Sequence, residues 1–323
     1  MNRTLQRALL MLGACFALLF AAGGVRAQTC SASATPVSFG SVSPIAGAAV
    51  SATSSINVTC TWPVITLTPD VLVCLSLGGT SPRSLTSGTN ALIYDLYRDA
   101  AHTQPWGSIY SGTTPISLIM AKPSGTTLTT TVTVYGQISA AQPAVPTVNN
   151  VSTTYSQTFG GNTTSINYQF YLLVAPTCAS LTATGGTFAF SVNANVINNC
   201  NISATNVAFG SAGVLSSQLR ATGAITAQCT NGDAYKIALN GGASGNVGAR
   251  AMQRSGGGGA VNYQLYLDSR YSSAWGDGTG GTATAAGTGT GAQQSFTVYG
   301  QVPAQSTPVP GSYSDTITAT IYF

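Results

Sequence analysis

The chain has 323 residues, of which 44% are apolar and only 6% charged, with eleven Lys and Arg against seven acidic residues. Every acidic residue is Asp and there is a single histidine, His102. So sparse a charge set excludes the basic stripe of a nucleic-acid binder, and it leaves little material for acid–base catalysis.

Read from the N-terminus, Arg3 and Arg7 precede an apolar run from Ala8 to Ala22 and a small-residue site at Val25-Arg26-Ala27. This is the pattern of a secretory leader spanning 1–27, cut before Gln28. A lipid-attachment reading of Leu12-Gly13-Ala14-Cys15 is weaker, because the apolar run continues past Cys15. Removing Arg3, Arg7 and Arg26 with the leader leaves eight basic residues against seven Asp. About 300 residues then remain, enough for two domains of ordinary size. We expect these at 28–197 and 198–323.

Helix signals are almost absent. Short runs rich in Thr, Val, Tyr, Phe and Ile alternate apolar and polar positions between Gly, Pro and Asn clusters. The clearest are Thr129–Tyr135, Thr187–Val196, Val261–Asp268 and Thr316–Phe323, each with one apolar face. Period-two alternation denotes half-buried strands. Many such strands at short spacing predict an all-β chain of two tandem immunoglobulin-like β-sandwich domains.

The two domains are copies. Cys30-SASATPVSFG matches Cys200-NISATNVAFG, Tyr94 matches Tyr263, Trp106-Gly matches Trp275-Gly, and Val134-Tyr-Gly-Gln matches Val298-Tyr-Gly-Gln, in the same order. Six cysteines follow the leader, an even number that suits disulfides in an exported chain. The repeat makes Cys30–Cys60 and Cys200–Cys229 equivalent pairs, which leaves Cys74–Cys178 inside the first copy. No spacing suggests a metal site or cofactor.

The copies differ at their ends. The first continues past its counterpart of the terminal strand, through Cys178, to the run Thr187–Val196. The second stops at Phe323. A sandwich short of one strand exposes an apolar groove and unpaired edges. A strand supplied by another chain would fill it, with Ile317, Ala319, Ile321, Tyr322 and Phe323 expected at the accepting edge.

Both copies resemble the spore coat protein U domain of archaic chaperone–usher pilus subunits. The likeness is carried by Cys-x8-Phe-Gly at Cys30 and Cys200, by the Trp-Gly and Val-Tyr-Gly-Gln motifs, and by Tyr-Ser with the final Thr-Ile-Tyr-Phe. The resemblance implies a periplasmic chaperone that first donates the missing strand, an outer-membrane usher, and an adjacent pilin whose N-terminal strand later replaces the chaperone's. A subunit that also donates needs roughly ten residues before its first cysteine, ~33 Å of strand. After the leader only Gln28 and Thr29 stand there. We therefore expect a subunit that accepts but does not donate: a tip adhesin, displayed at the cell surface and promoting attachment and biofilm formation, its first domain closed in cis by Thr187–Val196.

The second copy serves as an internal control for where adhesion would occur. After Cys60 the first copy reads TWPVITLTPDVLV against TNGDAYKIA, and after Gln137 it is longer and richer in proline. We expect the segments 61–70, 99–113 and 139–150 to meet at one pole. Its sticky patch would be Trp62, Pro63, Val64, Ile65 and Leu67 with Pro143, Ala144, Val145 and Pro146. Its target would be an abiotic or host apolar surface. Trp106 has a counterpart in Trp275, which indicates a structural role. Serines lack a nearby base and the Asp residues form no unique pair, so an enzyme is not expected. A non-adhesive pilus or coat subunit and a sugar-binding lectin tip, with a Trp stacked on the sugar, are the alternative readings.

Overall fold

The computed structural model describes residues 28–181 and 184–323, so the expected leader lies outside the described residues. The chain folds as two β-sandwiches, each a pair of sheets. In the first, β1 (Thr29–Ala34), β2 (Val37–Val42), β3 (Val50–Thr61), β5 (Arg83–Ser87), β6 (Asn90–Tyr97), β8 (Thr127–Ile138), β9 (Thr153–Phe159) and β11 (Phe190–Val196) form one sheet. Its order is β1-β3-β8-β6-β5-β9-β11-β2. Facing it is a sheet of β10 (Thr164–Tyr171), β4 (Asp70–Leu77) and β7 (Ile116–Ala121), in that order.

The two edges of the large sheet, β1 and β2, are joined by Thr35 and Pro36 alone. The sheet must therefore curl round on itself, and β11 closes the curl. It pairs antiparallel with β9, Phe190 opposite Phe159 and Val196 opposite Thr153. On its other side it runs parallel to β2. Phe190, Val192, Ala194 and Val196 all point into the core, with Phe190 stacked on Phe159 at 5.0 Å between ring centres. Burying Phe190, Val192 and Val196 stabilises the sandwich by about 2 kcal/mol each.

The second sandwich repeats this plan with fewer strands. β12 (Cys200–Ala204), β13 (Leu219–Cys229), β15 (Arg250–Arg254), β16 (Ala260–Tyr266), β18 (Gln294–Val302) and β19 (Tyr313–Ser314) form a sheet in the order β12-β13-β18-β16-β15-β19. Its partner sheet is β17 (Ala285–Thr288), β14 (Ala234–Leu239) and β20 (Ala319–Tyr322). The expected terminal strand from Thr316 is thus shorter, beginning at Ala319. Trp106 and Trp275 are equivalent and buried. Their indole nitrogens donate to the carbonyls of Leu75 and Ile237, at 2.8 and 3.0 Å. Each tryptophan thereby ties one sheet to the other.

Three disulfides add covalent ties: Cys30–Cys60, Cys200–Cys229 and Cys74–Cys178. The first two bond directly opposed residues of neighbouring strands. The third secures the chain between β10 and β11 to β4.

Only Ile197, Asn198 and Asn199 separate β11 from β12, and a clasp reinforces this short link. Asn149 and Asn150 both hold left-handed backbone angles, φ 57° and 60°, in a two-residue turn of the kind that asparagine tolerates. The turn presents Asn150, which receives a hydrogen bond from the Ala234 amide (2.6 Å) and donates one to the Ala234 carbonyl (2.9 Å). Asn231 donates to the Ala144 carbonyl at 2.7 Å, and Thr147 donates to the buried carboxylate of Asp233.

Burial holds the Asp233 carboxyl above the ordinary carboxylate range, against the smaller opposing effect of the Thr147 hydrogen bond. A carboxyl raised on folding favours the protonated folded form, so its contribution to stability is present at low pH and lost as pH rises through the raised value. Acidification from neutral pH toward the ordinary carboxylate range is therefore expected to raise the thermal unfolding midpoint of the wild-type chain relative to Asp233→Asn, which cannot titrate. Parallel pH profiles for the two proteins would contradict this.

Candidate functional site

The place that β11 fills in the first sandwich is a groove in the second. By the repeat, Val37 and Phe39 correspond to Val207 and Phe209, and Tyr155-Ser-Gln-Thr-Phe corresponds to Tyr313-Ser-Asp-Thr-Ile. Val37, Phe39 and Tyr155 are buried, whereas Val207, Phe209 and Tyr313 are only half-buried. β2 is a six-residue strand because β11 pairs with it; the matching stretch 207–212 forms no ladder. Likewise β9 has seven residues where β19 has two.

Two adjoining cavities of about 420 and 640 Å³ occupy this gap. Both are bordered by Val207, Phe209, Met252 and Tyr313. Ile225, Leu239, Leu265 and Val298 lie deeper in the smaller one, and Ile317 and Ala319 form its wall. Val207 and Phe209 lie flat against β18 because residue 300 is glycine: a Cβ there would meet them at 2.6 and 2.9 Å. The shared Val-Tyr-Gly-Gln motif thus makes room for the segment 207–209 that borders the groove.

Of the expected edge residues, Ile317 and Ala319 line the groove. Ile321 is half-buried and pairs opposite Ile237 of β14. Tyr322 and Phe323 are exposed.

One polar feature differs between the copies. In the first sandwich Arg83 is buried beside Asp95 in an ion pair, and Tyr94 donates to the neutral Gln157 at 2.6 Å. In the second, Arg250 is buried and donates to Gln264 and to the Asn240 carbonyl. Tyr263 donates to Asp315 at 2.7 Å. The carboxylate has therefore moved from the core position of Asp95 to the groove position of Asp315. Burial, reinforced by the Asp315 hydrogen bond and charge, pushes the Tyr263 hydroxyl well above the usual tyrosine range.

The expected adhesive patch is not assembled as anticipated. In the β3–β8 ladder Thr61 pairs with Thr127 and Val50 with Ile138. Segments 61–70 and 139–150 therefore leave opposite ends of a twelve-residue ladder, about 36 Å apart. The 99–113 segment folds back along β6 through a Tyr97–Pro105 bridge. Five strands, β4 to β8, lie between the first and last of these segments, and an odd number carries the chain to the opposite pole. Trp62 is fully buried, its ring edge against Phe170 at 5.6 Å, and Val145 is buried too. Pro63 and Pro146 are half-buried. Pro143 and Ala144 are exposed but belong to the segment that clasps the second sandwich.

Val64, Ile65 and Leu67 do stand out in solvent, 79, 87 and 83% exposed. Their neighbours are Leu172, Leu173 and Val174, also exposed. Tyr171 pairs with Asp70, so this second apolar loop leaves β10 where the first enters β4. The two loops form an apolar pole at the end of the first sandwich remote from the clasp.

A model of the Spore Coat Protein U domain matches residues 17–159 and again residues 186–320. The chain belongs to the spore coat protein U domain family. No curated protein matches it. Among solved structures it is similar to a chain of the chaperone–tip adhesion subunit pre-assembly complex CsuC–CsuE, from the archaic chaperone-usher Csu pili of Acinetobacter baumannii. There the TM-score is 0.54 at 18% identity, over 91% of this chain and 100% of that one. It also matches the CupB6 tip adhesin of Pseudomonas aeruginosa at 10% identity and a TM-score of 0.38, over 91% of this chain and 94% of that one. At such identities the likeness concerns the fold.

Within the spore coat protein U frame, the Leu172–Val174 loop went unnoticed in the sequence because its apolar run reads as the end of a strand. The role of 139–150 as a clasp was also hidden, since its partners Asn231, Asp233 and Ala234 lie about 85 residues away.

Trp62 offers a direct check on burial. Its indole nitrogen has no hydrogen-bond partner, so Trp62→Phe forfeits little polar energy and is expected to unfold in urea close to wild type. Trp62→Ala empties a core site and is expected to lose ~3–5 kcal/mol.

Proposed function

We propose that this chain is the tip adhesin of a chaperone–usher pilus. The second sandwich anchors it to the fibre by accepting a strand from the adjacent pilin. The first attaches to apolar surfaces, abiotic or host, and so promotes biofilm formation. The observation that carries the reading is the contrast between equivalent sites: β11 fills the first sandwich, and a groove lined by Val207, Phe209, Ile317 and Ala319 takes its place in the second. A groove bounded by the free edge of β19 and by the unpaired stretch 207–212 is a site for β-strand addition.

In this reading a periplasmic chaperone covers the groove first, and exchange at an outer-membrane usher delivers the subunit to the cell surface. The role is one of binding, not catalysis. The family match and the fold shared with a tip subunit complexed with its chaperone support it. The location of the apolar pole supports the adhesive part, since Val64, Ile65, Leu67, Leu172, Leu173 and Val174 project from the end away from the second sandwich. Isolated exposed apolar side chains are ordinary; six on two adjoining loops are the mark of an interaction site.

A triple variant Ile65→Ser, Leu67→Ser, Leu173→Ser is expected to assemble into pili normally, with immunogold against the first sandwich at fibre ends, and to lose most adhesion to polystyrene. Full adhesion by the variant would overturn the apolar mechanism, and glycan-array binding by the wild type would favour the lectin reading. Gold along the whole shaft would assign the chain to a structural subunit.

A further inference from the structure

β11 is an internal template for the strand that the second sandwich accepts. Across the β9–β11 ladder, Phe190 faces Phe159, Val192 faces Gln157 and Ala194 faces Tyr155. The corresponding residues of the second sandwich are Ile317, Asp315 and Tyr313. The outer two positions keep their character, one large and apolar (Phe159, Ile317), one tyrosine (Tyr155, Tyr313). The middle position changes from a neutral amide to a carboxylate.

That carboxylate lines the groove. Its oxygens accept from the Ala243 amide (2.8 Å), the Thr316 amide (2.8 Å) and the Tyr263 hydroxyl (2.7 Å). A carboxylate offers about four lone-pair positions, so one more donor can be accommodated. Covering it with an apolar side chain, as Val192 covers Gln157, would remove water from a charged oxygen without replacement, a larger penalty than for an amide. Burial works against the charge of Arg250, and the negative charge of Asp315 is among those that offset it.

We propose that the strand entering this groove carries a hydrogen-bond-donating side chain opposite Asp315, flanked by a large apolar residue opposite Ile317 and a small one opposite Tyr313. The inference rests on the strand-accepting reading of the second sandwich and adds a selectivity rule to it. The partner is a polypeptide segment in extended form, and Asp315 is the residue that discriminates among candidate segments.

The test uses the chain without its leader, extended after Phe323 by a flexible linker and a copy of the segment 187–196. In one version the copy keeps valine at the position corresponding to Val192, and in the other it carries threonine, nearly the same shape with a hydroxyl donor. Both are also made with Asp315→Gln, the residue the first sandwich holds at Gln157 and so compatible with the fold. With Asp315 present, the threonine copy is expected to raise the unfolding midpoint of the second sandwich about 3 °C above the valine copy. With Asp315→Gln the order is expected to reverse. The same order in both backgrounds would overturn the role of Asp315 while leaving strand acceptance intact. If neither copy raised the midpoint above that of the unextended chain, strand acceptance would fail and the rule with it.

Discussion

The ladder that β11 makes with β9 and β2 governs the rest of the structure. Without it, both would be sheet edges with unpaired amides and carbonyls, and the apolar faces of Val37, Phe39 and Phe159 would meet water. With it, the first sheet curls until its two ends are joined through Thr35 and Pro36, and Phe190, Val192, Ala194 and Val196 complete a continuous core. The second sandwich has the same floor and the same walls with no strand between them. One half of the molecule thus displays the finished state of a site whose unfinished state is in the other.

The same strand connects the two halves mechanically. β11 passes into β12 through three residues, and the clasp built on Asn150, Thr147 and Asn231 holds the sandwiches where that link joins them. The added length of the 139–150 segment serves this joint. The apolar loops at Val64–Leu67 and Leu172–Val174 stand at the opposite end of the β3–β8 ladder. The clasp and the exposed apolar surface are therefore separated by the length of a sandwich.

The polar differences between the copies follow the same division of labour. Where the sandwich is closed, Arg83 and Asp95 neutralise each other in the core, and the position under β11 is a neutral glutamine. Where it is open, the anion has shifted to Asp315, against the groove. A buried arginine needs a compensating charge in either case. In the second sandwich that charge stands on Asp315, at the wall of the groove.

Much of this was determined by sequence alone. Alternation of apolar and polar residues dictates strands, and the ordered motifs at Cys30, Trp106 and Val134 and at Cys200, Trp275 and Val298 establish two copies of one domain. The surplus run Thr187–Val196 already singles out the strand that one copy has and the other lacks. These features are local or repeat within the chain, so the order of residues suffices to reveal them. Tertiary structure alone decided which loops share an end and which apolar residues are exposed. Trp62 and Ile65 lie three residues apart in one apolar stretch, yet one is buried against Phe170 and the other stands in solvent. The partner that buries Trp62 lies more than 100 residues along the chain, and the register that sets 61–70 and 139–150 at opposite poles joins β3 to β8 across tens of residues of intervening chain.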